Sequence, residues 1–252
     1  MEQKKIALVG YGAMGKRIAA AIKDHEGWEL LGVIDPLNEE CFSSLSLLPE
    51  KPHVVIDFSH PANLEMILSY CREQEVPCVL STTGFSPAQE AMCRELSAYT
   101  PVVRTQNTSL GINIMEEILR NITPVLKDRF DIEIIEKHHH NKLDAPSGTA
   151  LMIADAINAE ADGRYEYVYD RTQVRQKRGA QELGISSVRG GGIVGEHDVL
   201  FCGPDEVVTL SHSAGSRGVF ADGAVQAALY IAALAPGYYT MTDLLRGKLL
   251  CE

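Results

Sequence analysis

The sequence predicts an α/β fold, with a doubly wound parallel sheet in its first part and a mixed or antiparallel sheet in its second. In the first hundred residues, short apolar runs alternate with helical patterns, which is typical of a βαβ series. Beyond Asn107, residues 130–139 alternate apolar and polar side chains, which indicates a strand with one solvated face. The small-residue helix from Val219 to Leu234 resembles the cover helices of the first part, so we expect it to pack back there.

Five strands with apolar centres and three crossover helices are expected in the first part. The strands are residues 5–10, 28–35, 53–59, 77–83 and 102–107, and the helices are 13–26, 61–75 and 86–99. The third helix has a capping-box start, because Ser86 is followed by Pro87 and then by Gln89, three residues after the cap.

The second part is expected to begin with a helix and to continue as strands. The helix is residues 110–127, and the strands are 130–139, 185–190, 196–203 and 206–214. The last two strands are joined by the turn sequence GPDE, which predicts a hairpin. Residues 160–184 are charged and give no clear pattern.

Composition argues against several classes of partner. The 252 residues carry 23 Lys and Arg against 34 Asp and Glu, and this net charge of −11 would repel nucleic acid or an anionic membrane surface. No stretch is apolar for long enough to be a signal peptide or a membrane span, so we expect a cytoplasmic protein. The six cysteines form no CxxC pair, which favours free thiols over disulfides or a zinc site.

A glycine motif follows the first strand and opens the first helix. Gly10, Gly12 and Gly15 match GxGxxG, and their expected roles are a tight turn, close approach of a pyrophosphate, and close packing of the helix on the strand. Asp35 ends the second strand, 20 residues after Gly15, where an acid would bond an adenosine ribose. The first part is therefore expected to be a Rossmann-type dinucleotide-binding domain.

The residues around Asp35 favour NADH slightly over NADPH. Pro36 stands where an arginine would meet a 2′-phosphate, and the acid itself would repel that phosphate. Lys16 and Arg17 are close enough in sequence to offset part of the repulsion.

Two further loops lie at the carboxyl ends of predicted parallel strands, where doubly wound folds bind ligands. Ser81, Thr82 and Thr83 end the fourth strand, and residues 105–108 end the fifth. Either these loops line the nicotinamide and its ribose, or they are ordinary turns.

Residues 136–150, EKHHHNKLDAPSGTA, concentrate titratable groups. A metal site is not favoured, because HExxH and paired Cys/His spacings are missing and neighbours on a strand point to opposite faces. A solvated run without function is a second alternative. The third is a site for an anionic substrate that receives a proton, since Lys142 is a cation and Ser147, Gly148 and Thr149 open a helix whose free amides suit a carboxylate. We favour this third alternative, a reductase site for a small carboxylate.

Several segments together resemble the 4-hydroxy-tetrahydrodipicolinate reductase (dihydrodipicolinate reductase) family. The segments IEKHHHNKLDAPSGTAL, VVIDFS, STTGF, QNTSLGIN, SVRGGGIVGEH and SRGVFADGAV occur in the family's order over nearly the whole chain. The resemblance implies a Rossmann domain, residues 1–107 and 218–252, completed by the C-terminal helix. It also implies an inserted α+β domain, residues 108–217, that carries the substrate site and the interface of a homotetramer.

The resemblance also implies roles for individual residues. His138 would be the catalytic acid/base and Lys142 the proton donor, while His139, Gly148 and Thr149 would hold the substrate's carboxylates. The substrate-binding set is completed by Ser147 and by Arg217, which from the sequence alone is equally an exposed residue or a hinge. The cofactor contacts would be Gly10, Tyr11, Gly12, Ala13, Met14, Gly15, Asp35, Ser81, Thr82, Thr83, Thr105, Gln106, Asn107 and Thr108.

The chain departs from the family's pattern at a few positions. His140 and Asn141 stand where Arg and His are common, Ser81 replaces a glycine, and no arginine follows Asp35. These differences bear on the choice between NADH and NADPH more than on the reaction. The competing functions are a non-catalytic NAD(H)-binding redox sensor, a metal-dependent hydrolase and a related amino-dicarboxylate dehydrogenase.

Overall fold

A computed structural model of the chain describes residues 3–172 and 174–249. The chain divides into two compact units, Met1–Leu110 with Arg217–Glu252, and Gly111–Ser216. Thr108 and Arg217 thus belong to the first unit and not, as expected, to the second. The physical link is clear for Thr108, whose hydroxyl donates to the carbonyl oxygen of Phe220 at 2.6 Å.

The elements of both units are as follows. The first unit begins with β1 (Lys4–Val9), α1 (Ala13–Lys23), β2 (Trp28–Ile34), β3 (Val54–Asp57), α2 (Leu64–Gln74), β4 (Cys78–Leu80), α3 (Pro87–Leu96) and β5 (Pro101–Arg104). The next elements are α4 (Leu110–Leu126), β6 (Asp131–His138), α5 (Gly148–Ala159), β7 (Glu166–Val168), β8 (Glu182–Arg189), β9 (Glu196–Cys202) and β10 (Val207–Ser213). The chain then completes the first unit with α6 (Gly218–Ile231), β11 (Gly237–Tyr239) and α7 (Met241–Leu249).

The first unit contains a six-stranded sheet in the order β11-β5-β4-β3-β1-β2, and all its strand pairs are parallel. The central strand β1 is buried on both faces. Ile6 and Leu8 pack in a core shared with α1 and α6, whereas Ala7 and Val9 pack in a core shared with α2 and α3. This arrangement confirms the doubly wound parallel sheet that the alternating pattern predicted.

Helix α6 confirms the predicted return of the chain to the first sheet. Ala224, Val225 and Ala228 lie in the same core as Ile18 and Ile22 of α1. Strand β11 and helix α7 were missed by the sequence analysis, because a strand of three residues offers too few positions for a periodic pattern.

The predicted capping box at the start of α3 is also confirmed. The hydroxyl of Ser86 accepts from the amide of Gln89 at 3.3 Å, and the side chain of Gln89 accepts from the amide of Ser86 at 2.9 Å. Pro87 occupies the first turn, where its missing N–H costs nothing.

The second unit contains a mixed five-stranded sheet in the order β10-β9-β6-β8-β7. Its central strand β6 is parallel to β8 and antiparallel to β9, and β9 and β10 form the predicted hairpin. Helices α4 and α5 cover one face, where Leu119 and Ile153 share a core with Ile132 and Ile134 of β6. Residues 160–184, which gave no pattern, contain the short β7 and a loop whose Arg178 pairs with Asp131 and Glu133 of β6.

Membrane-spanning character was also examined. In the part of the chain that the structure describes, no helix combines the length and the apolar character needed to cross a bilayer.

The glycine motif between β1 and α1 is fixed by close backbone contacts. Gly10 has a φ of +97°, a conformation that L side chains rarely adopt. A Cβ at Gly15 would overlap the carbonyl oxygen of Gly10, whereas a Cβ at Gly12 would meet no protein atom within 4 Å. The fold therefore needs glycine at positions 10 and 15, but it does not need glycine at position 12.

This contrast predicts opposite outcomes for one substitution at two sites. Gly15→Ser should lower the free energy of unfolding by about 1–3 kcal/mol, because the added atoms must displace the backbone of Gly10. Gly12→Ser, at the N-cap of α1, should leave the free energy of unfolding unchanged or slightly higher, because serine is a favourable N-cap residue. Urea unfolding of both variants checks this, and equal losses would contradict it.

Candidate active site

The predicted cofactor residues all lie at the carboxyl edge of the first unit's sheet. Residues 10–15 connect β1 to α1, Asp35 follows β2, Ser81–Thr83 follow β4, and Thr105–Thr108 follow β5. Because these strands are parallel, their carboxyl ends meet at one edge. The structure therefore brings together segments that are far apart in the sequence.

The carboxylate of Asp35 faces the glycine loop. Its Oδ2 accepts from the amide of Tyr11 at 3.1 Å, and its Oδ1 accepts from the amide of Leu37 at 3.2 Å. The open space at Gly12, together with the unpaired first amides of a helix, fits the close approach of a pyrophosphate. The residues present here therefore fit a dinucleotide.

The loops after β4 and β5 use much of their side-chain chemistry internally. Thr82 accepts from the amide of Ser59 at 2.8 Å, and the hydroxyl of Thr105 donates to the carbonyl oxygen of Asn107 at 2.7 Å. Thr83 and Gln106 are exposed at the same edge. The turn-forming role that we left open is present, and a ligand at this edge would meet Thr83, Gln106 and the backbone.

Asp57, which the sequence analysis did not single out, lies beneath this edge at the end of β3. It is buried, and burial raises the pKa of its carboxyl group despite hydrogen bonds from Ser59 and Thr82 that lower it. Its Oδ1 accepts from the amide and the hydroxyl of Ser59 at 3.1 and 2.6 Å. Asp57 therefore shapes the loop after β3.

The histidine run begins at the end of β6 and its members face different environments. His138 is buried, His139 is partly buried and His140 is exposed. The backbone of the run is held by the glycines after β8, since Gly190 donates to the carbonyl oxygen of His138 and His140 donates to that of Gly191. Over the described ranges, 3–172 and 174–249, no cluster of three His, Cys, Asp or Glu residues is placed to hold a metal ion.

Glu136 is the residue that organises this end of the sheet, and the sequence analysis missed it. Its Oε2 lies 2.5 Å from Nδ1 of His138, and Arg189 donates to both of its oxygens at 2.8 and 2.7 Å. The signal was present in the alternation of β6, because positions 136 and 138 share the inner face with Ile132 and Ile134.

The start of α5 is joined to the same cluster through Ser147. Its amide donates to Oε1 of Glu136 at 3.2 Å, and its hydroxyl accepts from the amide of Ala150 at 3.2 Å as the N-cap. Nε2 of His197 on β9 lies 3.2 Å from the same hydroxyl. The sequence analysis also missed Arg189 and His197, because their positions depend on the strand register.

An internal carboxylate already interacts with this helix start. Lys142 pairs with Asp144 at 2.9 Å. Partial burial would raise the pKa of the Asp144 carboxyl, but Lys142 and the amide of Gly148 lower it below its ordinary value. Lys142 and the first amide of α5 therefore act together on one carboxylate, as the sequence predicted for this pair of groups.

Two buried groups of the cluster have displaced pKa values. Burial acts to raise the pKa of Glu136, yet hydrogen bonds from His138 and Arg189 hold it well below its usual range. Burial lowers the pKa of His197 to about 4, and the nearby His138 lowers it further. At neutral pH the cluster therefore contains an ionised Glu136 and an uncharged His197.

The structure places the predicted substrate residues in two groups. Within the second unit it brings His138, Ser147 and the start of α5 together. Arg217 lies in the first unit, where it is the N-cap residue of α6 without a side-chain capping bond.

The pKa of His197 predicts how stability depends on pH. Because the folded state holds His197 neutral, the unfolded state binds more protons between pH 6.5 and pH 4, so stability falls as the pH falls through this window. The loss should reach about 3 kcal/mol. His197→Gln should remove most of it and the exposed control His140→Gln should not, as chemical unfolding at several pH values would show. An unchanged slope in His197→Gln would contradict the assignment.

Comparison with known proteins is consistent over the full chain. Residues 4–108 match the family model described as "Dihydrodipicolinate reductase, N-terminus", and residues 111–245 match the model for its C-terminus. Proteins called 4-hydroxy-tetrahydrodipicolinate reductase are similar, one from Caldanaerobacter subterraneus subsp. tengcongensis (45% identical over 239 residues, 93% of this chain and 95% of the relative) and one from Clostridium novyi (40% over 250 residues, 97% and 99%).

A solved structure shares the fold at lower identity. It is the dipicolinate-bound dihydrodipicolinate reductase from Paenisporosarcina sp. TG-14, which is 24% identical, has a TM-score of 0.76, and covers 96% of this chain and 99% of its own. Given the two family models and the relatives above 30% identity, the chain belongs to the dihydrodipicolinate reductase family.

Proposed function

We propose that the protein is a 4-hydroxy-tetrahydrodipicolinate reductase of the diaminopimelate route of lysine biosynthesis. It would reduce 4-hydroxy-tetrahydrodipicolinate to tetrahydrodipicolinate, with loss of water, at the expense of NADH or NADPH. The observation that carries the proposal is the match of both halves of the chain to the two halves of one reductase family. The curated relatives quoted above bear the name of this activity.

The first unit would hold the nicotinamide cofactor, which supplies a hydride when bound. The residues for this role are Gly10, Tyr11, Gly12, Ala13, Met14, Gly15, Asp35, Ser81, Thr82, Thr83, Thr105, Gln106, Asn107 and Thr108. Support comes from the open space at Gly12 and from the carboxylate of Asp35, which faces the loop that would receive the adenosine half.

The second unit would bind a cyclic dicarboxylate at the start of α5. The contacts of Asp144 indicate how, because a substrate carboxylate in its place would meet Lys142 and the amide of Gly148. Thr149 and the hydroxyl of Ser147 extend this helix start, and His139 would hold the second carboxylate. Arg217 is proposed as a further cation for the substrate.

Protons would come from His138 and Lys142. A hydride leaves negative charge on the ring that accepts it, so a proton must be delivered to the neighbouring atom. Nδ1 of His138 is engaged by Glu136, and therefore Nε2 is the nitrogen that can exchange a proton with the substrate. Lys142 offers an ammonium group from the loop that leads into α5.

The alternative functions gain no support. A redox sensor needs no buried Glu136 beside an acid/base histidine, and the relatives quoted above are named as reductases. A related amino-dicarboxylate dehydrogenase would share the fold but not the match to both family models.

A homotetramer in the cytoplasm completes the proposal, as the family resemblance implies. Support for association comes from the second unit, where the edge strand β10 exposes Val207 and Val208 to solvent. An exposed apolar edge strand is suited to pairing with another copy. Sedimentation equilibrium would test the number of copies.

A coupled assay tests the function directly. The product of the preceding synthase step, generated in place from pyruvate and aspartate semialdehyde, is supplied together with NADH or NADPH. Loss of absorbance at the nicotinamide band that depends on this substrate is expected, and a rate equal to that without the protein would refute the activity.

The role of Lys142 predicts a large loss of turnover. Lys142→Ala should lower kcat by about 10²- to 10⁴-fold, the usual range for removal of a general acid, with little change in cofactor affinity. The exposed neighbour provides a matched control, since His140→Ala should leave kcat within about twofold. Steady-state kinetics and cofactor titration of both variants check this, and a normal kcat in Lys142→Ala would remove the role.

The position of Asp35 predicts a modest preference for NADH. A 2′-phosphate would add negative charge beside a carboxylate that already accepts two backbone amides, so the Michaelis constant should be lower for NADH than for NADPH. Asp35→Asn should reduce the difference, while Gly12→Ser should raise both Michaelis constants. A strong preference of the unmodified protein for NADPH would show that other residues decide the choice.

A further inference from the structure

We propose that Glu136 is a positioning residue that fixes the tautomer of His138, so that proton transfer occurs at Nε2, and that Arg189 balances its charge so that the proton can leave. The inference rests on the proposed function, because it concerns how the acid of that reduction is prepared.

The first step of the argument is the complete use of the Glu136 carboxylate. Oε1 accepts from Arg189 at 2.7 Å and from the amide of Ser147 at 3.2 Å. Oε2 accepts from Arg189 at 2.8 Å and lies 2.5 Å from Nδ1 of His138. Because the side chain is fully buried, these groups take the place of water around the charge.

The second step concerns the imidazole of His138. An ionised carboxylate has no proton to donate, so the hydrogen between it and Nδ1 belongs to the imidazole. Nδ1 is then protonated in both charge states of the ring, and only Nε2 gains or loses a proton. Gly195 leaves room on that side, because a Cβ there would lie 3.1 Å from Nε2.

The third step is the balance of charge. A carboxylate in contact with an imidazole favours its protonated form, and without compensation it would hold the proton too tightly for transfer. The guanidinium of Arg189 contacts both oxygens of Glu136 and offsets this effect. Opposite charges on Glu136 and Arg189 thus poise His138 between its two forms.

Other charged or titratable groups also surround His138. His197 on β9 has its ring centroid 5.3 Å away, and it is itself near His212 on β10. Lys142 and Asp144 lie on the loop before α5, and the carbonyl oxygen of Asp144 accepts from Arg189 at 2.6 Å. None of these groups donates to Glu136, so Glu136 and Arg189 make opposite and separable contributions to the same imidazole.

The tautomer is tested on the unmodified protein, independently of activity. In NMR spectra of protein labelled with ¹⁵N-histidine, the neutral ring of His138 should carry its proton on Nδ1. The signal is assigned by its loss in His138→Asn. A neutral ring protonated on Nε2 would overturn the inference.

The charge balance is tested by two substitutions with opposite expected effects on the pH dependence of kcat/KM. Glu136→Gln removes the negative charge, so activity that requires protonated His138 should be lost at a pH about one to three units lower. Arg189→Gln leaves the carboxylate uncompensated, and the same loss should move to higher pH. Glu196→Gln is the control, because Glu196 pairs with Lys137 on the opposite face of the sheet and its loss should not move the profile.

The outcomes separate this inference from the proposed function. Circular dichroism confirms that each variant is folded, and if Glu136→Gln is not, the NMR measurement still decides the tautomer. Shifts in the same direction, or unchanged profiles in folded variants of an active enzyme, would overturn the inference and leave the function intact. An unmodified protein without reductase activity would instead refute the function.

Discussion

The ion pair of Glu136 with Arg189 is the constraint on which the site of the second unit depends. A buried carboxylate without a partner would cost several kcal/mol, so β6 and β8 must pair in the register that sets His138 opposite Arg189. That register also brings the amide of Ser147 to Glu136 and so fixes where α5 begins. One charged contact thus determines the positions of the histidine, of the helix start and of the loop between them.

The first unit is organised by a different constraint, which is steric. Gly10 and Gly15 permit a contact between β1 and α1 that no side chain allows, and the loop they form faces the carboxylate of Asp35. Cofactor binding would then rely on backbone groups held by a rigid parallel sheet, whereas proton transfer would rely on side chains held by a charged network. This division explains why both units contribute to one reaction although their cores are built separately.

The sequence was sufficient for features that depend on local pattern. The strands of the first sheet, the capping box at Ser86 and the return of α6 follow from apolar periodicity and from helix-start chemistry. The roles of Glu136, Arg189 and His197 could not be read in this way, because they depend on which strands become neighbours and in which register. Likewise, the charged segment before β8 showed no pattern because its arginines serve β6, a strand more than 40 residues away.

A crystal structure with NADH and pyridine-2,6-dicarboxylate, a planar analogue of the substrate, tests the account most directly. The account predicts one carboxylate of the analogue at the amides of Gly148 and Thr149, with Lys142 turned from Asp144 to the analogue and Nε2 of His138 facing its ring. An analogue bound elsewhere, with the Lys142 and Asp144 pair intact, would contradict it.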